Sequence, residues 1–346
     1  MEIFELLQEL CPRPGVSGSE ESAAQKACEL LSPYGEAEAD PVTGSVFFQR
    51  EDNADGRPTV LLDAHIDEIG LTVTDITPDG FLKAAPVGGI DRRMLLAAQV
   101  AVYGTASGET VRIGAVTASV PPHLNDDYSK APRVDELLID TGLGSEAGSL
   151  IARGDTVLFE NSPRRLLGDR VTGKALDDRV GCAVLIRTAE LLAGFDLDCN
   201  VMIMLSSQEE IGERGAKTGA YAVHPDEAIA VDVSFADTPD MKPTDCSPLG
   251  SGVMIGVSPS LSRRLSEDMI KTAQETGVPY TIEVMSGLTG TNADEISVSR
   301  RGVPTVTLSI PERNMHTPAE VISLEDAENT ARLIAGYLKR NYGAAL

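Results

Sequence analysis

Strand-like apolar runs alternate with helix-like stretches at both ends of this 346-residue chain, but not in its middle. From about Leu71 to Ser162 the texture changes to short alternating segments, Leu71–Thr74, Gln99–Tyr103 and Thr156–Phe159, separated by Pro-Asp-Gly, Ser-Gly and Gly-Asp turns. Such a stretch reads as a small antiparallel barrel or sandwich. Strand–helix alternation on both sides of it predicts one α/β domain, residues 1–70 and 163–346, carrying an inserted β domain over 71–162. The pattern predicts helices over 2–12 and 20–32, the second capped by Ser19. Further helices are expected over 175–193 and 323–341. Residues 59–62, 201–205, 228–233 and 303–309 read as buried strands.

Acids and histidines cluster at the ends of those strands, where open α/β sheets collect their ligands. In Asp63-Ala64-His65-Ile66-Asp67-Glu68 the extended His-x-Asp puts His65 and Asp67 on one face, so Asp67 can orient the ring of a metal-binding His65. Asp177 and Asp178 open a helix; they serve either as cap and dipole partner or as a metal bridge with a supporting neighbour. Glu209 and Glu210 follow an apolar strand, where carboxylates are costly unless paired or metal-bound. One glutamate would ligate while the other works as a general base. Asp232 lies inside an apolar run and needs a partner, whereas His316 alone is an ordinary loop histidine.

Together His65, Asp177, Glu210, Asp232 and His316 supply two histidines and three carboxylates, a donor set suited to zinc, cobalt or manganese. A bridging carboxylate with two ligands for each of two divalent ions matches sites that hold ions about 3.5–4 Å apart and activate a water. No GxSxG, HExxH, phosphate loop or dinucleotide fingerprint competes. Cys182 reads as core and His224 as a solvated loop residue.

The motifs Asp63–Gly70, Gly173–Arg179, Glu209–Gly212 and His316–Glu320 resemble, in order, those of the glutamyl aminopeptidase family, which includes the tetrahedral aminopeptidases and relatives labelled as cellulases. The resemblance spans the chain from its first helix to its last. It implies a mixed-sheet, three-layer aminopeptidase domain with a PDZ-like insert that mediates assembly. His65 and Asp232 would bind one ion, Glu210 and His316 the other, with Asp177 bridging; Glu209 would be the base, and Asp67 would orient His65. Members commonly assemble as tetrahedral dodecamers that admit short peptides. His123, in Pro121-Pro122-His123-Leu124, lies in a loop that approaches a neighbouring subunit's site in relatives. The stretch 287–294 departs from the family's usual Gly-Gly-Thr-Asp-Ala.

Composition narrows the alternatives. With 53 acidic against 29 basic residues, a net charge of −24 repels nucleic acid and anionic membrane. Five scattered cysteines, no leader pattern and no long apolar run predict a cytoplasmic protein with reduced thiols. The absence of Trp argues against an oligosaccharide groove. The expected activity is metal-dependent release of N-terminal residues from short peptides by a homo-oligomer. An N-acyl amino acid deacylase or carboxypeptidase-like amidase is the alternative on the same scaffold.

Overall fold

Four apolar runs become the centre of a sheet in the computed structural model, which describes residues 1–121, 124 and 130–343. Strands Thr59–His65, Asn200–Ser206, Glu227–Phe235 and Thr305–Arg313 lie parallel. Val, Ile and Leu fill them because both faces are covered, the burial expected of parallel strands. Antiparallel strands flank this centre and extend it to 11 strands; the strand Val253–Val257 pairs Thr305–Arg313 and carries Tyr280–Val284 outside it.

Alternation along the strand Thr59–His65 sends side chains to two cores. Val60, Leu62 and Ala64 pack in a cluster with Leu185 of the helix Leu176–Leu192 and Leu333 of the helix Leu324–Tyr342. Leu61 instead packs with Ala216, Ala220 and Ile296. Helices therefore cover both faces, as the two-residue period of a buried strand requires.

Between Gly70 and Phe159 the chain forms six antiparallel strands closed into a barrel, with Leu71, Leu82, Val102 and Val157 in its own core. Closure removes the free strand edges that an open insert of this size would expose. The expected strands over 201–205 and 228–233 each extend slightly further at both ends. The last central strand starts at Thr305 and runs to Arg313, later than the sequence suggests. The hairpin strands Glu36–Ala39 and Val46–Gln49 and the helices Arg214–Val223 and Arg263–Thr276 are not evident from periodicity alone.

Ser19 is not the cap of the second helix. That position is Glu20, whose carboxylate turns away and accepts hydrogen bonds from Gly18 N and Gln208 N, at 2.7 and 3.2 Å. Cys182 is core, as expected, and His224 is exposed at a helix end. No described helix is long and apolar enough to cross a membrane.

Candidate metal centre

Parallel register brings the first site residues together. Ser206 is the register partner of His65, so the turn carrying Glu209 and Glu210 leaves the sheet beside the histidine. The next strand runs parallel on the other side and delivers Asp232, with Asp232 Oδ1 3.9 Å from His65 Nε2. His316 arrives from the loop that follows Arg313.

Asp177 stands between the two histidines. Its Oδ1 is 3.0 Å from His65 Nε2, and its Oδ2 is 3.3 Å from His316 Nε2. His316 Nε2 is also 3.5 Å from Glu210 Oε2. All five expected ligands thus converge. His65, Asp177, Asp232 and Glu210 are shielded, while the side chain of His316 is 35% exposed at the cleft mouth. Two groups of donor atoms, His65–Asp177–Glu210 and His65–Asp178–Asp232, each lie within 4.8 Å of one another.

Charge balance tests whether such residues fit cations. Burial, then repulsion from Asp177, pushes the Glu210 carboxyl up to about 10. Burial likewise drives Asp232 far above the usual carboxylate range. Burial opposes a charge on His65, but hydrogen bonds to Asp177 and Asp67 outweigh it and raise its pKa. Glu210 Oε1 is buried without a hydrogen-bond partner among the described residues. Carboxylates crowded in low dielectric require positive charge to stay ionised. The donor set fits divalent ions.

The supporting contacts explain why these side chains sit there. Asp67 Oδ1 accepts from Glu209 N at 3.0 Å, and Asp67 Oδ2 accepts from Glu210 N and Ser17 Oγ at 3.2 and 2.6 Å. His65 Nδ1 lies closer to the Asp67 carbonyl, at 3.2 Å, than to its carboxylate, at 3.6 Å. Asp67 therefore fixes the acidic turn at least as firmly as it fixes the ring. Asp178 joins both readings of its pair: Oδ1 caps the helix at Gly181 N, 2.9 Å away, and Oδ2 accepts from His65 N at 3.2 Å. Glu320, buried below, accepts from Leu176 N and Asp177 N at 2.6 and 3.3 Å.

Among the described residues, the barrel reaches the centre at Gly88 and Gly89. At Gly89 an added Cβ would lie 2.9 Å from His316 Nδ1; at Gly88, with φ +77°, it would lie 2.8 Å from Ile69 Cγ2 and 3.1 Å from Glu210 Oε2. Glycine is what permits this approach. His123 lies outside the described residues. In the variant stretch 287–294, Asp294 accepts from Thr289 N and Gly290 N, and Thr289, Gly290 and Thr291 line the cleft. Sequence reasoning assigned no role to Asp178 beyond the turn, to Glu320 or to Gly88–Gly89. The contiguity of Asp178 and Glu320 with the motifs was their only signal.

Residues 44–333 match the M42 glutamyl aminopeptidase family. The lysyl aminopeptidase of Pyrococcus furiosus is 32% identical over 97% of this chain and 96% of its own. Among solved structures, an aminopeptidase from the archaeon Desulfurococcus kamchatkensis superposes with a TM-score of 0.91 at 32% identity, covering 98% of this chain and 95% of that one. The TET1 peptidase of Pyrococcus horikoshii, which can assemble into a tetrahedron or a large octahedral shell, gives 0.84 at 30% identity over 97% and 99%. On the four ordered motifs, the shared fold and a family match over most of its length, this chain belongs to the M42 glutamyl aminopeptidase family and is a peptide hydrolase.

Proposed function

We propose that this chain releases N-terminal residues from short peptides at a centre for two divalent ions, zinc or cobalt, with manganese as a further candidate. The observation that carries this is Asp177, which offers one carboxylate oxygen toward each histidine. His65 and Asp232 would hold one ion, Glu210 and His316 the other, with Asp177 shared. When bound, such ions polarise a carbonyl and lower the pKa of water.

Glu209 is the general base. It sits beside the ligand Glu210 in a turn fixed by Asp67, and burial raises its pKa above the ordinary range. It takes the proton of the attacking water and returns it to the leaving amine. Asp67 holds the Glu209–Glu210 backbone and the His65 ring in register. Among the described residues no Lys or Arg lines the cleft, which supports substrates entering with a free, cationic amine over N-acylated ones.

The helices on both sheet faces support the three-layer description, with residues 1–70 and 163–346 as the catalytic domain. The closed barrel, from Gly70 to Phe159, supports an inserted, PDZ-like assembly domain over 71–162. The shells formed by the TET1 peptidase support a homo-oligomer, and a tetrahedral dodecamer is its expected form. Five free cysteines support a cytoplasmic setting.

Hydrolysis of aminoacyl-p-nitroanilides tests the reading, measured with chelator and after restoring zinc, cobalt or manganese. Chelator-sensitive release from free-amine substrates only is expected. Cleavage confined to N-acylated substrates would replace this reading with the deacylase.

A further inference from the structure

Relatives of this chain are named for lysyl and for glutamyl substrates, side chains of opposite charge, so family membership does not choose between them. The cleft itself carries carboxylates beyond the proposed ligand set. Glu283, on the strand Tyr280–Val284, lines it without belonging to the proposed ligand set. Its carboxylate accepts hydrogen bonds from Ser234 Oγ and, at 2.8 Å, from Ser309 Oγ. Both donors are neutral, and Glu283 makes no ion pair among the described residues. Burial raises its pKa, so a cation is the partner its charged form lacks.

The position of Glu283 relative to the centre suits a substrate side chain. Ser309 is the register partner of Asp232, and Ser234 lies two residues beyond Asp232 on the same face. Strands are about 4.8 Å apart, and same-face residues repeat about every 6.6 Å. A group held between Ser309 and Ser234 is therefore displaced from Asp232 by about a side chain's length. Glu283 reaches that point over the intervening strand at its register partner Gly256, which presents no side chain there. Met285 and Phe235 also line the cleft, which has a volume of about 480 Å³, and give a long aliphatic stem apolar walls. Glu213, at the same cleft, adds a second carboxylate outside any ion pair among the described residues.

We propose that Glu283 is the specificity residue of this cleft and selects peptides whose first residue is cationic, lysyl or arginyl. The inference rests on the aminopeptidase reading above. The stem of the first side chain would lie along Met285 and Phe235, with its ammonium or guanidinium group on Glu283.

The test is kcat/KM of the metal-loaded enzyme for lysyl, arginyl, leucyl and glutamyl p-nitroanilides, in wild type, Glu283→Gln and Glu283→Lys. Wild type is expected to favour the two basic substrates over leucyl by about tenfold or more, the scale of one charge-assisted hydrogen bond. Glu283→Gln is expected to collapse that ratio, mainly through KM, and Glu283→Lys to raise glutamyl relative to lysyl. In wild type, free lysine is also expected to inhibit more tightly than free leucine, a comparison that needs no variant to fold. Leucyl or glutamyl preference in wild type, equal inhibition by the two amino acids, or an equal loss on all four substrates in Glu283→Gln would each overturn the proposal while leaving an aminopeptidase. Cleavage of none of the four by wild type would remove both readings.

Discussion

Asp177 meets His65 through one carboxylate oxygen and His316 through the other, at 3.0 and 3.3 Å. These residues are 112 and 139 positions from it in the chain (177 − 65 and 316 − 177), so one short side chain ties two remote segments together. Burial alone would push its carboxyl up, but the two histidines outweigh that and hold it well below the usual range. Asp177→Asn removes the shared charge. Bound metal, measured by elemental analysis, is expected to fall together with kcat/KM, by about a hundredfold or more.

Glu209→Gln separates chemistry from metal binding. The variant keeps the ligand set and the hydrogen bond from its backbone N–H to Asp67. Metal content is expected to stay near wild type while kcat falls by about 10²–10⁴-fold. Near-normal turnover would assign the base elsewhere.

The Gly88–Gly89 loop predicts that the barrel supports catalysis within one subunit. In Gly88→Val a branched side chain would meet Ile69 and Glu210 from a backbone with positive φ. A loss of kcat/KM of about tenfold is expected, with a melting temperature reduced by only a few degrees. A comparison of activity and thermal unfolding on the same preparation checks this.

Arg179 is fully buried and donates to Ile66 O, Leu10 O and Arg13 O at 2.6, 2.8 and 3.4 Å. It anchors the first helix to the segment just after His65, while Lys174 Nζ pairs with Glu68 at 2.5 Å nearby. Arg179→Met leaves those carbonyls and part of the Glu68 charge unmatched. Denaturant unfolding is expected to show a loss of about 3–5 kcal/mol.

Glu20 predicts a pH dependence for the metal-free protein. Burial pushes its carboxyl up to about 7, against the stabilising hydrogen bonds from Gly18 and Gln208. A raised folded-state pKa favours the protonated form. Its contribution to stability is therefore full below the unfolded value near 4.5 and is lost as pH rises through about 7. One oxygen, Oε1, accepts both backbone hydrogen bonds, so Glu20→Gln keeps an acceptor in place. Unfolding free energies measured from pH 5 to 8 are expected to show the variant gaining on wild type as pH rises. A constant difference across that window would contradict the assignment.

The sequence by itself brought out candidate residues for the site. His65, Glu209–Glu210 and Asp232 stand out because each interrupts or ends an apolar run, and an acid there needs a partner. The β-only stretch between two α/β segments likewise announces an insert, since a period of two is a local property. Tertiary structure decided the rest. Asp178 bonding His65 N, Glu320 beneath Asp177, the barrel loop against His316 and Glu283 between Ser234 and Ser309 all join residues far apart in the chain. Their meeting depends on strand register and on how the barrel docks. Ser19 shows the same limit from the other side: a good local cap is passed over because Glu20 gains a hydrogen bond from Gln208, 188 residues away. Periodicity reports which face of an element is buried, whereas only packing reports what that face meets.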